Sequence, residues 1–181
     1  GVILELINHV AVVAIAVVIY PVLRRFNVRL ALGYLVARTI ESTLFVVATL
    51  HLLTLVGVSQ EFVNAGSPAE SHFHALGKLL LDGHDWNKAP LAFTAFGVGA
   101  LMLNIVLFRT RLVPRWISAF GLAAATSILT ARVMQLCGLE LQASAVTMMD
   151  GPIFLQEMVF AGWLILRGFD KSVLVNGTPV R

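Results

Sequence analysis

The stretch Leu30-Ala-Leu-Gly-Tyr-Leu-Val-Ala-Arg38-Thr-Ile-Glu41-Ser-Thr-Leu-Phe-Val-Val-Ala-Thr-Leu-His51-Leu-Leu-Thr-Leu-Val-Gly-Val58 decides the fold. About 20 apolar residues suffice to cross a bilayer as a helix, and this run is about 29 long. It nevertheless carries Arg38, Glu41 and His51. A charged side chain near the bilayer centre costs at least about 2.5–3.5 kcal/mol on insertion scales. The helix must therefore turn Arg38 and Glu41 towards other helices or a wet cavity, and the rest of the chain reads as the enclosure.

Composition sets the same class. Of 181 residues, 58% are hydrophobic and 13% are charged, with a mean hydropathy of +0.86; soluble domains run near 45–50% and 25%. The net charge of +3 is not a nucleic-acid signal, because the basic residues sit in short clusters between apolar spans, where topology signals are placed. The single cysteine, Cys137, excludes an intramolecular disulfide. The first apolar run, Gly1 to Tyr20, lacks the basic n-region and small-residue cleavage site of a signal peptide. A start directly on apolar residues, without an initiator Met, reads as the sequel to an earlier span.

The expected fold is an all-α integral membrane bundle of five transmembrane helices plus one short interfacial amphipathic helix. Span one covers Val2 to Leu23, closed by Tyr20, Pro21 and Arg24-Arg25. A short turn around Phe26-Asn27 makes span two its antiparallel neighbour. In the polar connection from Ser59 to Lys88, Ser67-Pro68-Ala69-Glu70 is a capping box with proline at the first helical position. Asp82-Gly83 closes that helix. Phe73, Leu76 and Leu80, with Leu79 beside them, make it an amphipathic piece lying on the membrane surface, and Trp86 marks the interface.

Span three runs from about Ala89 to Phe108 with small residues Ala92, Ala95 and Gly99 on one face. Span four, Trp116 to Leu136, repeats this with Ser118, Gly121 and Ala125. Such faces let helix backbones approach closely. Span five ends at Leu166 and either starts at Pro152 or begins nearer Leu141 and bends at Pro152. Residues 1–169 read as one transmembrane domain and 170–181 as a polar, frayed cytoplasmic tail; the Asn176-Gly177-Thr178 sequon carries no meaning on that side.

Arg24, Arg25, Arg29, Arg109, Arg111, Arg115, Arg167, Lys171 and Arg181 fall on one side, against Lys78 and Lys88 on the other. By the positive-inside rule the first side is cytoplasmic, with the N-terminus and the Glu140 loop outside.

At 1.5 Å per residue, Arg38 lies roughly 13 Å in from Arg29, and Glu157 roughly 15 Å in from Arg167. Arg38, Glu41 and Glu157 therefore form a candidate intramembrane polar centre, as a proton or substrate relay or as a structural clamp between spans two and five. Arg132, Gln135 and Asp150 make a second polar group in the outer half. His9 and His51, at similar depth on neighbouring spans, are a candidate pair for haem iron, with Arg132 near a propionate, or for a metal with Glu5 and His72 or His74. Interfacial histidine is the plainer reading, since no C-x-x-C-H or H-E-x-x-H signature is present. His72, His74 and His84 read as solvated, and Gly97-Val98-Gly99 as packing.

Ala37-Arg38-Thr39-Ile40-Glu41, Arg111 through Pro114-Arg115-Trp116, Gln156-Glu157-Met158 and Trp163 through Arg167-Gly168 resemble a family of bacterial multi-spanning membrane proteins catalogued as domain of unknown function 4386. The likeness runs from about Tyr20 to Phe169. It implies a helical protein of the bacterial cytoplasmic (inner) membrane, commonly with a further span before this chain's first residue, and implies no activity. Three functional readings follow. The first is a binding, transport or sensing module centred on Arg38, Glu41 and Glu157. The second is an accessory subunit, or a homo-oligomer, using the small faces of spans three and four and the outer helix. The third is a haem or metal redox protein using His9 and His51.

Overall fold

The structure is a computed structural model and describes residues 2–66, 72–139 and 141–176. The capping box at 67–70, Glu140 and the 177–178 part of the sequon lie outside the described residues. The elements are α1 (Val2–Leu23), α2 (Val28–Asn64), α3 (His72–Trp86), a π-turn (Asn87–Ala92), α4 (Phe93–Thr110), α5 (Arg115–Leu136), α6 (Ala143–Leu166) and α7 (Lys171–Asn176). Among the described residues, five helices are long and apolar enough to cross a membrane: Ile3–Leu23, Val28–Asn64, His72–Thr110, Arg115–Leu136 and Ala143–Leu166. The protein is an all-α bundle of that kind.

Asn27 starts α2 by accepting the Leu30 amide on its side-chain oxygen at 2.9 Å, which satisfies one of the orphan donors of a helix N-terminus. At 37 residues, α2 is roughly 55 Å long, well beyond a hydrocarbon core of about 30 Å. The surplus is covered by α3. Gly99 meets Ala37, Gly83 meets His51 and Gly77 meets Leu55, while Phe73 packs edge-on against Phe62. As residue numbers fall on one helix they rise on the other, so α3, the π-turn and α4 run antiparallel along nearly the whole of α2. The helix expected to lie in the membrane plane instead stands along α2, burying His84 and half-burying Phe73 and Leu80 while Leu76 and Leu79 stay exposed.

Gly83 does not end that helix. A Cβ there would come within 2.7 Å of the His51 ring, so the glycine makes room for a neighbour and helical structure continues. Pro90 lies inside the π-turn, where its missing N–H and its ring are absorbed by the wider loop.

Packing proceeds α1 on α2, α2 on α4, α4 on α5 and α5 on α6. The small faces are used inside this series: a Cβ at Gly97 would strike Leu129, one at Gly99 would press on Ala37, and one at Gly121 would overlap the Asn104 amide. Two apolar clusters result. One joins Leu23, Phe26, Tyr34, Leu107, Leu112 and Ile117 at the arginine-rich end, and the other joins Phe96, Ala125, Ile128 and Ile153 in the opposite half. Between them runs a polar layer. The first and last spans, α1 and α6, line the two sides of a groove rather than packing into each other.

Of the two starts open for span five, the helix takes the earlier one, at Ala143 with Pro152 inside. Beside the proline, the Ser127 hydroxyl donates to the Met149 carbonyl at 3.0 Å. The tail does not fray over its described part. The Asp170 amide donates to the Leu112 carbonyl at 3.0 Å, and Val173 and Leu174 of α7 pack on the first cluster.

Candidate functional site

The polar layer is built from residues one helical turn apart, brought together by close backbones. Arg38 and Glu41 are at i,i+3 on α2, and Arg38 Nη1 lies 3.0 Å from Glu41 Oε2. Glu157 approaches from α6, with its Oε1 at 4.0 Å from the same nitrogen. The guanidinium sits over the Phe96 ring of α4 at 5.1 Å, a cation–π contact worth about 0.5–2 kcal/mol. Arg38 and Glu41 are buried, Glu41 to 4% exposure, whereas the Glu157 side chain is 44% exposed towards the groove.

The ion pair is close but poorly aligned. Among the described residues, Arg38 Nε and Glu41 Oε2 have no hydrogen-bond partner, so the 3.0 Å approach supplies charge compensation without the angle of a hydrogen bond. Next in the layer, Gln156 Nε2 donates to Asn104 Oδ1 at 3.4 Å, and Asn104 Nδ2 donates to the Ala100 carbonyl at 2.9 Å. Asn104 fits because Gly121 opposite it has no side chain. Neither amide stood out in the sequence as a site residue; the signal for Gln156 was its place beside Glu157.

The outer polar group also comes together. Arg132, only 1% exposed, donates from Nη2 to both Asp150 oxygens at 2.5 Å and from Nη1 to Gln135 Oε1 at 2.8 Å. Its guanidinium lies 5.4 Å from the centre of the Phe93 ring. This is the better-made pair, and it ties α5 to α6.

His9 and His51 are not brought together. His9 stacks on Phe45 at 5.4 Å, and its Nε2 is 3.3 Å from Thr49 Oγ1, which in turn donates to Glu5 at 3.1 Å. The His51 ring instead faces Gly83 of α3, with Nδ1–H donating to the Val47 carbonyl at 2.8 Å. Positions 49 and 51 point to opposite sides of a helix with 3.6 residues per turn, so one iron cannot hold both rings. Among the described residues no group of three or more His, Cys, Asp or Glu side chains is placed to hold a metal ion. His84, expected in solvent, is buried and bonds through Nδ1 to the Ala48 carbonyl at 3.0 Å; His72 and His74 are exposed.

Both polar groups border one cavity of about 700 Å³ between α1 and α6. Arg38, Glu41, Asp150 and Glu157 line its middle and the half farther from the arginine-rich end, and Ile15, Ile19, Leu164 and Ile165 line its other end. A second pocket of about 570 Å³ at the basic end is bordered by Arg111, Arg115, Arg167 and Asp170.

Five apolar helices around a buried arginine–carboxylate layer, reached through a side groove, define a small multi-pass helical bundle with an internal ionic centre. The chain belongs to the family described as Domain of unknown function (DUF4386), which matches residues 1–168. No curated protein and no solved structure gives a significant match.

Proposed function

We propose that this chain is a membrane-embedded binding module that takes a small ligand into the groove between α1 and α6, against Arg38, Glu41 and Glu157. One observation carries this reading: the ionic centre borders a cavity of about 700 Å³, within the roughly 300–1,000 Å³ range of small-molecule pockets. A clamp serving only to fix helix packing would be closed by the facing helix. Here Glu157 is half-exposed and Glu41 keeps an unaligned oxygen.

The arginine-rich end is placed in the cytoplasm by the positive-inside rule. Together with the bacterial character of the family resemblance, it supports the reading of an inner-membrane protein with the N-terminal end of α1 outside. An accessory-subunit role would draw on the small faces of α4 and α5 and on α3, but those faces are spent on internal packing. A haem or metal role lacks its ligand pair. The observations favour binding.

The test is the triple variant Arg38→Met/Glu41→Met/Glu157→Met, compared with wild type in lipid nanodiscs by thermal unfolding and by native mass spectrometry of retained small molecules. Removing all three charges together leaves no unpaired ion in the centre, so the variant folds; occupancy of the groove is lost. A triple variant that keeps the molecules retained by wild type makes the centre a packing clamp and refutes the proposal.

A further inference from the structure

We infer that the groove selects a lipophilic monovalent cation and exchanges it for a proton, an inference that rests on the groove being the binding site proposed above. The inference comes from its charge balance. Among the described residues, three carboxylates line the cavity, Glu41, Asp150 and Glu157. Asp150 is neutralised by Arg132. The remaining guanidinium, Arg38, faces two carboxylates, at 3.0 Å and 4.0 Å. Among the described residues that line the cavity there is no further lysine, arginine or histidine. The wall is left one negative charge in excess when every carboxylate is ionised.

Uncompensated charge away from water is strongly disfavoured. The excess is therefore cancelled by one proton or by one external cation, and the two compete. Glu41 gives the site a built acceptor: it is 4% exposed, and its Oε2 lies 3.0 Å from Arg38 Nη1 without a hydrogen bond to any of the described residues. Sharing the cavity wall with Glu157 are Tyr34, Arg38 and Glu41 from α2, Asn104 from α4 and Asn8 from α1; α5 contributes Ile128, and α6 itself adds Asp150 and Gln156. His9 stands behind Phe45, held by Thr49 with Glu5 beyond. Apart from Arg38, already counted, none of the described groups lining the cavity carries a positive charge. The apolar end of the groove, with Ile15, Ile19 and Leu164, suits the hydrocarbon part of such a cation. Rings in the wall, such as Phe154 and Tyr34, attract cations over their faces.

The full chain in nanodiscs is titrated with tetraphenylphosphonium and with tetraphenylborate, which share a shape and differ in the sign of charge; empty nanodiscs correct for partition. At pH 8 the cation binds saturably and at least ~10-fold tighter than the anion. Its apparent Kd rises by up to ~10-fold per pH unit as acid supplies the competing proton, the slope for exchange of one proton. Glu157→Gln weakens cation binding by at least ~10-fold and flattens the pH dependence, while Glu157→Asp retains both, with folding of each variant checked by thermal unfolding. Equal or tighter binding of the anion, or cation binding that ignores pH and Glu157→Gln, overturns the cation inference and leaves the groove as a site of another selectivity. Absence of saturable binding by either ion, or binding unchanged by Ala161→Trp in the groove wall, overturns the groove itself.

Discussion

Gly83 sits mid-helix against the ring of His51, with 2.7 Å left for a Cβ. Gly83→Ala gains up to about 1 kcal/mol of helix propensity but forces an overpacked contact costing about 1–3 kcal/mol. The His51 ring cannot swing away freely, since its Nδ1 is bonded to the Val47 carbonyl. Thermal unfolding should show a net loss of about 1 kcal/mol, and His51→Ala in the same background should restore it. A stabilised single variant would mean that the ring is not held there. The same residue shows where sequence reading stops: a glycine after an aspartate has the signature of a helix end, and its reason for being small lies 32 positions away. Arg38 and Glu41 were legible because i,i+3 spacing fixes their proximity without any tertiary knowledge. Glu157 was legible through its depth in α6. His84 was not, because its burial depends on the Ala48 carbonyl of another helix.

At the scale of elements, α3 separates two kinds of amphipathic helix, one that lies on lipid and one that lies on protein. Periodicity is the same for both. Leu55→Cys/Gly77→Cys in a Cys137→Ser background tests the pairing, since a Cβ at position 77 lies 3.6 Å from Leu55. A short bismaleimide should join the two cysteines within one chain; failure to link them would place α3 elsewhere. Proline posed the same kind of ambiguity in α6, where Pro152 fitted either a first turn or an interior position; the earlier start at Ala143 follows from packing on α5. At the other end of the chain, Asp170 accepts from the Ser172 hydroxyl at 2.6 Å and the Ser172 amide at 2.9 Å, and these bonds hold its carboxyl below the usual range. A group depressed on folding contributes stability above its unfolded value of about 3.9, and loses it as pH falls through the folded value. Protection of the Leu174 amide, which bonds to the Asp170 carbonyl, should therefore drop in acid once intrinsic exchange is corrected. Asp170→Asn should abolish that dependence.

For the molecule as a whole, charge is sorted by end. Arg24, Arg25 and Arg29 at the α1–α2 junction, Arg109, Arg111 and Arg115 at the α4–α5 junction, and Arg167 and Lys171 beyond α6 share one end. Cys137 is exposed at the other, just past α5. A membrane-impermeant maleimide should therefore label Cys137 in intact cells, and protection until the cells are opened would invert the topology. This sorting was fully legible, because it depends on composition between spans and on no contact at all. The π-turn at Asn87–Ala92 joins the hairpin of α2 and α3 to the bundle, and its wider loop holds one surplus residue relative to an α-helical ladder. That residue sets the rotational phase between the two parts. Removing it would turn α3 by about 100° about its own axis, aiming the notch at Gly83 away from His51 and the imidazole of His84 away from its carbonyl. The irregular turn is thus the hinge pin by which that arm is indexed to the ionic interior.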